Sequence, residues 1–303
     1  MIIVNSMEQV EAAIYGGAFL GGGGGGDISE GLRLGRLAVQ LGGAKILEPH
    51  EVADDATLAT VSAVGAPSMG SVKPSYFVES VRLLQRYGVE VDGLIAAENG
   101  GFNTVNGWLQ SAVLGIPVVD IPCNGRAHPT IVMGSIGLHA DSTYVSIQAA
   151  VGESDGRKVS VVVEGSLKDA SLVIRNLSAT IRSVLAVARN PVKAGYAKKH
   201  GAPGALRMAL ELGRIIVDRL REEPSEAPLK ACEKLGGQLL CEGKVTKVRL
   251  SCERGFDSGV ITVSDGEASY EVTFLNEYMT VEREGERVAT FPDLIVLADR
   301  RTG

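Results

Sequence analysis

The sequence predicts an α/β fold: an N-terminal, mostly parallel sheet with flanking helices, followed by a helical segment and a small β-rich C-terminal domain. Three observations predict it. Strand, loop and helix signals recur in that order over the first part of the chain, the pattern of a parallel sheet covered by helices. Near Tyr144 the rhythm changes to two strand-like segments flanking the turn "GESDGR". Beyond "REEPSEAP", short β segments separated by Gly, Asp and Glu fill the tail. We therefore place an α/β domain with the Gly-rich loop and the site loops at 1–165, and a C-terminal part at 166–303. The latter holds helices over 168–222 and a β-rich region over 236–303.

Each element has its own signal. Ser6 with Gln9 forms a capping box ahead of Val10, Ala13 and Ile14, the mark of a helix start. Asp27 and Glu30 form a second, opening a helix with apolar Leu34, Leu37, Ala38 and Leu41 and closed by Gly42-Gly43. "TLATVSAVG" reads as a buried strand, Tyr76 to Tyr87 as a helix and "VDGLIAA" as the next strand. Asn103 to Leu114 reads as a helix and "IPVVDIP" as a strand. "TYVSIQAAV" and "KVSVVVEG" form a hairpin. Lys168 to Asn190 and Ala205 to Glu222 carry helical apolar spacing, and "LIVLAD" closes the chain as a strand.

Composition narrows the function. A net charge of -6, with no basic cluster interleaved with aromatics, argues against nucleic acid and an anionic membrane as partners. No apolar run is long enough to cross a bilayer, and "MIIVNSMEQ" lacks a basic n-region and a long apolar core. Four cysteines without a CxxC pair fit reduced thiols in a cytoplasmic protein. The expected partner is a small-molecule substrate, with a homo-oligomeric assembly, the common state of soluble enzymes.

In an open α/β sheet, ligands bind beyond the carboxyl ends of the strands. The loops there carry Ser68 and Lys73; Glu98, Asn99 and Asn103; and Asp120, Asn124, Arg126 and His128. The run of six glycines, Gly21 to Gly26, leads to the helix start at Asp27. It lacks the GK[ST] ending of a phosphate loop and a strand with GxGxxG, and Asp27 disfavours a polyanion. Two readings stand beside phosphate binding. Another backbone packs closely on the run, or a flat ligand lies on the bare amides of Gly23, Gly24, Gly25 and Gly26.

Glu98 and Asp120, each at the end of a strand, could divide acid and base roles if their environments differ; either could equally cap a helix or pair with a cation. Arg126 could clamp a substrate carboxylate or form a surface ion pair. Cys123 and His128 could form a nucleophile pair, or Cys123 is a plain buried thiol. His50, His128, His139 and His200 fit no standard ligand spacing. A divalent metal would need a two-histidine site completed by Asp120, and no cofactor is otherwise indicated.

"LGGGGGGD", "GAPSMGSVKP", "ENGGFN", "GIPVVDIPCNGRAHP", "FDSGVITV", "FLNEYM" and "FPDLIVLAD" occur in this order, and the set resembles the S-methyl thiohydantoin desulfurase-like proteins, a hydantoinase-associated family. The resemblance implies an α/β N-terminal part and a C-terminal part containing β structure. It also implies hydrolysis of a thiohydantoin-like ring, with water replacing a methylthio group and methanethiol released. Asp120, Gly125, Arg126 and Pro129 keep the family's loop pattern; Pro122 and Thr130 stand where it carries acids, and His128 where it is apolar or aromatic.

The expected activity is thus a hydrolase acting on a five-membered cyclic amide or thio-amide. Asp120 or Glu98 would be its general base, with the glycine-loop amides, Asn103 or Asn124 stabilising developing charge. Asp27, Asn99 and His128 would complete the lining, and Arg126 would hold a substrate carboxylate. A non-catalytic binding protein of the same fold, or a ring-opening hydantoinase-like amidohydrolase, are the alternatives.

Overall fold

The computed structural model describes residues 1–65, 69–253 and 256–303; Ser68 lies outside them. The chain opens with β1 (Ile2–Val4) and α1 (Met7–Gly21). Ser6 and Gln9 form the reciprocal cap, and Val10, Ala13 and Ile14 are buried. The helix runs into the glycine stretch until Gly22, whose left-handed backbone (φ 57°) closes it, a conformation that favours glycine. Asp27 caps α2 (Ile28–Gln40) by accepting from the Ser29 and Glu30 amides. Glu30 turns to Arg33 instead of completing a second box.

Next come β2 (Ala44–Leu47), β3 (Thr57–Val64), α3 (Pro74–Arg86) and β4 (Gly93–Ala96). The expected helix from Asn103 to Leu114 is split: a 3-10 turn at Asn103–Val105 is separated by Gly107 (φ 110°) from α4 (Trp108–Leu114). β5 (Val118–Val119) follows, then the expected hairpin of β6 (Ser146–Ser154) and β7 (Arg157–Gly165).

One expected helix is instead a helix and a strand. α5 (Leu167–Ile181) ends where Arg182 takes a left-handed conformation (φ 52°), and β8 (Leu185–Lys193) occupies the remainder. β8 is buried on both faces from Leu185 to Asn190, so it lacks the two-residue alternation of a half-buried strand, and no glycine marks the turn before it.

α6 (Ala194–His200), α7 (Ala205–Glu222) and α8 (Ala227–Lys234) lead to the tail. There β9 (Lys244–Glu253), β10 (Phe256–Ser264), β11 (Ser269–Leu275), β12 (Glu277–Arg283) and β13 (Glu286–Thr290) form an antiparallel sheet. "LIVLAD" is irregular rather than a strand; its Ile295 plugs the core of this small sheet beside Tyr270, Val272 and Val281.

The large sheet has the order β1-β2-β5-β4-β3-β8-β6-β7. β2, β5, β4 and β3 are parallel; antiparallel pairing adds β1 at one edge and β8, β6 and β7 at the other. One face packs Val61, Ala149 and Ala188 with Val10, Trp108 and Leu206. The other packs Val64, Ala150 and Val187 against Ile174 of α5. α1 and α7 cross with Gly16 against the Ala209 carbonyl and Gly213 against that of Ala12, a proximity that leaves no room for a Cβ on either glycine.

A bulge interrupts β8 where it meets β3. Leu58 pairs with Val192 and Thr60 with Arg189, so Asn190 and Pro191 oppose the single residue Ala59. Asn190 is left-handed there (φ 53°). Bulges of this kind re-aim neighbouring side chains, and Arg189 is the neighbour.

Candidate active site

Protein packs closely against the glycine run, although Gly23 and Gly26 stay exposed. A Cβ on Gly22 would lie 2.8 Å from the Arg126 guanidinium, one on Gly23 2.7 Å from the Tyr278 ring and one on Gly26 2.7 Å from Phe102. Gly24 lies under the Glu277 carboxyl group, and Gly25 meets the backbone of Gly100. The Gly25 carbonyl accepts from the Phe102 and Asn103 amides, and the Gly22 carbonyl from that of Tyr278. Close approach by neighbouring chain is therefore what the bare backbone permits. It brings the loop after β4 and the start of β12 together over one spot.

Glu98 is 7% exposed at that spot. Its Oε1 accepts from Asn103 Nδ2 at 2.6 Å, and its Oε2 from the His128 backbone amide at 3.0 Å. His128 Nδ1 is 2.7 Å from the same Oε2. Asn124 Nδ2 lies 3.0 Å from that ring nitrogen and donates to the Met133 carbonyl at 3.3 Å. The carboxylate contact assigns the ring hydrogen to Nδ1. Gly134 closes over the far nitrogen, where a Cβ would overlap it.

Glu277, 4% exposed, enters from the C-terminal sheet. Burial first, and then the charge of Glu98, push its carboxyl group up to about 8, against the opposing pull of Arg126 and Arg175. Its Oε2 is buried with no partner. Like charges in a dry site cannot both ionise freely, so at neutral pH Glu277 is chiefly the protonated member of this pair.

The remaining expected site residues fall into two groups. Asn103 joins the cluster and leaves Oδ1 unpartnered; Asn124 and His128 also stand there. Asp120 does not: its Oδ1 accepts from the Leu206 amide at 2.7 Å and its Oδ2 from that of Arg207 at 3.0 Å, so it caps α7. Burial raises it to about 6. Asn99 ties Gly125 to Ala205 through their carbonyls, and Asp27 is the α2 cap. Arg126 donates to the carbonyls of Asp293 and Tyr278 and lies 4.6 Å from the Phe291 ring centroid, so it pins the small sheet to the large one. Lys73 pairs with Glu153 at the surface, beside a cavity of about 390 Å³ lined also by Tyr76 and Arg182. That cavity is separate from the buried cluster.

Cys123 is buried, its thiol pushed up by that burial, and it contacts Thr60 Oγ1 at 3.4 Å. Its side-chain hydrogen-bond partner is Thr60 rather than His128, and a raised thiol is a poor nucleophile. Among the described residues, no group of three or more His, Cys, Asp or Glu side chains is placed to hold a metal ion. No helix among them is long and apolar enough to cross a membrane.

The model of the S-Me-THD-like N-terminal domain matches residues 8–173, and that of the S-Me-THD-like C-terminal domain matches 166–303. The chain belongs to the S-Me-THD-like family. A crystal structure of a protein from Chromobacterium violaceum shares its fold, with a TM-score of 0.70 and 22% identity over 95% of this chain and 80% of that one. No curated protein matches the chain.

In this S-Me-THD-like protein both matched domains supply the carboxyl pair, Glu98 from one and Glu277 from the other. Sequence reasoning missed Glu277 and the buried Arg189. Glu277 sits inside "FLNEYM", a segment singled out only for its resemblance, and nothing local shows which loop it faces. Arg189 was concealed by the helical reading of β8.

Proposed function

We propose that the chain is a hydrolase of small five-membered cyclic amides of the S-methyl thiohydantoin type, water replacing the sulfur substituent. The observation that carries this reading is the buried Glu98–Glu277 pair, one carboxyl group held by three hydrogen-bonding contacts and the other kept protonated by its surroundings. Paired carboxyl groups with unlike environments are suited to acid and base roles, and the family resemblance supports the ring chemistry.

Water attacks the ring carbon bearing the methylthio group, and Glu98 takes a water proton as the C–O bond forms. The C=N electron pair moves to the ring nitrogen, which then receives the proton from Glu98. Protonated Glu277 gives its proton to sulfur as the C–S bond breaks. The remaining hydroxyl proton returns to Glu277 as C=O forms. The products are the hydantoin and methanethiol, and both carboxyl groups are restored. Asn103, already donating to Glu98, offers its free Oδ1 to the attacking water. Asp120 takes no part, because both its oxygens hold α7.

The test is turnover of S-methyl thiohydantoins by the purified protein, followed by mass spectrometry. Methanethiol with an intact hydantoin is the expected result. Ring opening would assign the site to amidohydrolysis, and tight binding without product to a binding protein; either would overturn the reading.

A further inference from the structure

A row of polar side chains crosses three strands on the α5 face of the large sheet. Gln148 of β6 pairs in register with Arg189 of β8, and Arg189 pairs with Thr60 of β3, so the three side chains share that face. Cys123 rests on Thr60 at one end; Ser171 of α5 receives Gln148 at the other.

Arg189 is 7% exposed, and its Nε is buried without a partner. Among the described residues no carboxylate lies within ion-pair distance of it. A buried guanidinium with no counter-group is costly. Burial lowers it to about 10, still protonated at neutral pH, with the fields of Cys123 and Glu98 opposing that shift. Cys123, on which the row ends, donates its amide to the Ala96 carbonyl at 3.0 Å, two residues before Glu98, so the row runs to the loop that carries the candidate active site.

Gln148 supplies the complementary orphan. The Ser146 hydroxyl donates to Asn190 Oδ1 at 2.7 Å, so its oxygen is free to accept from Gln148 Nε2 at 3.0 Å. Nε2 gives its second hydrogen to Ser171 at 2.9 Å. With the amide in this orientation, Gln148 Oε1 is buried with no donor. An unpartnered donor and an unpartnered acceptor thus stand side by side on neighbouring strands, where registered side chains are about 5 Å apart at Cβ.

Resting on the function proposed above, we infer that Arg189 and Gln148 read the amide edge of the substrate ring, Arg189 donating to its carbonyl oxygen and Gln148 Oε1 accepting from the adjacent ring N–H. The ligand class is a cyclic amide or imide with carbonyl and N–H side by side. Arg189 also acts in the chemistry. The N–H that Gln148 reads leaves the C=N bond to the other ring nitrogen, and the guanidinium on the carbonyl oxygen draws electron density through the ring amide away from the methylthio-bearing carbon, which favours attack by water. Arg189 is then a catalytic residue, and Gln148 a specificity residue.

Binding of hydantoin by calorimetry and turnover of an S-methyl thiohydantoin are measured together on wild type, Arg189→Ala and Gln148→Glu. Wild type is expected to bind hydantoin and not its analogue methylated on the imide nitrogen. Arg189→Ala is expected to lose at least 100-fold in kcat/KM, with at least tenfold recovery in millimolar guanidinium. Gln148→Glu places a carboxylate beside the guanidinium, so it is expected to keep the fold, raise Tm and abolish hydantoin binding. Wild-type turnover with binding and rate unchanged in both variants would overturn this inference and leave the reaction standing. Hydantoin binding sensitive to both variants, without turnover by wild type, would uphold the recognition and overturn the reaction. No hydantoin binding by wild type would overturn the recognition directly.

Discussion

His128 and Glu98 are joined twice: the backbone amide of His128 donates to Glu98 Oε2 at 3.0 Å, and its ring Nδ1 lies 2.7 Å from the same oxygen. The histidine therefore sets where the carboxylate points, while Gly134 keeps the ring in place. In His128→Gln the backbone contact persists and the ring contact is lost. Misplacing a reacting group by about 1 Å can cost on the order of 100-fold in rate. Steady-state kinetics should show a loss in kcat of about that size with little change in KM, and circular dichroism should show an unchanged fold.

Asp120 is expected to matter for stability rather than chemistry. It accepts from two amides at the start of α7, and loss of such a cap costs about 1–2 kcal/mol. Asp120→Ala should shift urea unfolding by that amount, and kcat per folded molecule should stay within about threefold of wild type, less than about 0.7 kcal/mol. A hundredfold loss of kcat in folded Asp120→Ala would return Asp120 to the reaction.

Glu277 imposes a pH dependence with a definite sign. Its carboxyl group rises from the ordinary 4.5 to about 8 in the folded protein, so the native state holds a proton that the unfolded chain releases. The resulting contribution to stability is full below about pH 4.5 and is lost as pH rises toward 8. Glu277→Gln removes this slope. Relative to the variant, wild type should lose stability between pH 5 and 8.5, by on the order of a few kcal/mol, readable from chemical denaturation at a series of pH values. Parallel curves for the two proteins would contradict the buried environment assigned to Glu277.

Much of this arrangement was legible in the sequence, for identifiable reasons. The Ser6–Gln9 box, the parallel strands and the hairpin announced themselves through local periodicity and capping chemistry. Glu98, Asn103, Asn124 and His128 were grouped from the sequence because strand ends gather loops, whatever the strand order, and their side chains do stand together. Asp120 stands apart from them because a strand-end carboxylate is equally suited to a distant helix start, and α7 begins more than eighty residues later. Arg126 was read as a substrate clamp, yet its partners are carbonyls of the tail, which local patterns do not reveal. Glu277 and Arg189 acquire meaning only when sheets from different parts of the chain meet.

The glycines make a separate prediction. Gly25 (φ 79°) is packed against the Gly100 backbone, with the Asn99 carbonyl 2.7 Å from where a Cβ would stand. Gly115 is also left-handed (φ 72°) but faces open space. Gly115→Ala should cost only the left-handed penalty, about 1–2 kcal/mol. Gly25→Ala adds overpacking worth roughly 1–3 kcal/mol, and should also lower kcat because the Glu98 loop shifts. Thermal unfolding of the two variants separates the contributions.

The most direct test of the central claim is turnover of an S-methyl thiohydantoin in ¹⁸O-labelled water, with wild type and Glu98→Gln compared by mass spectrometry. The account predicts one labelled oxygen in an intact hydantoin, stoichiometric methanethiol, and at least a 100-fold slower reaction in the folded variant. Label in a ring-opened acid, or equal rates for the two proteins, would contradict it.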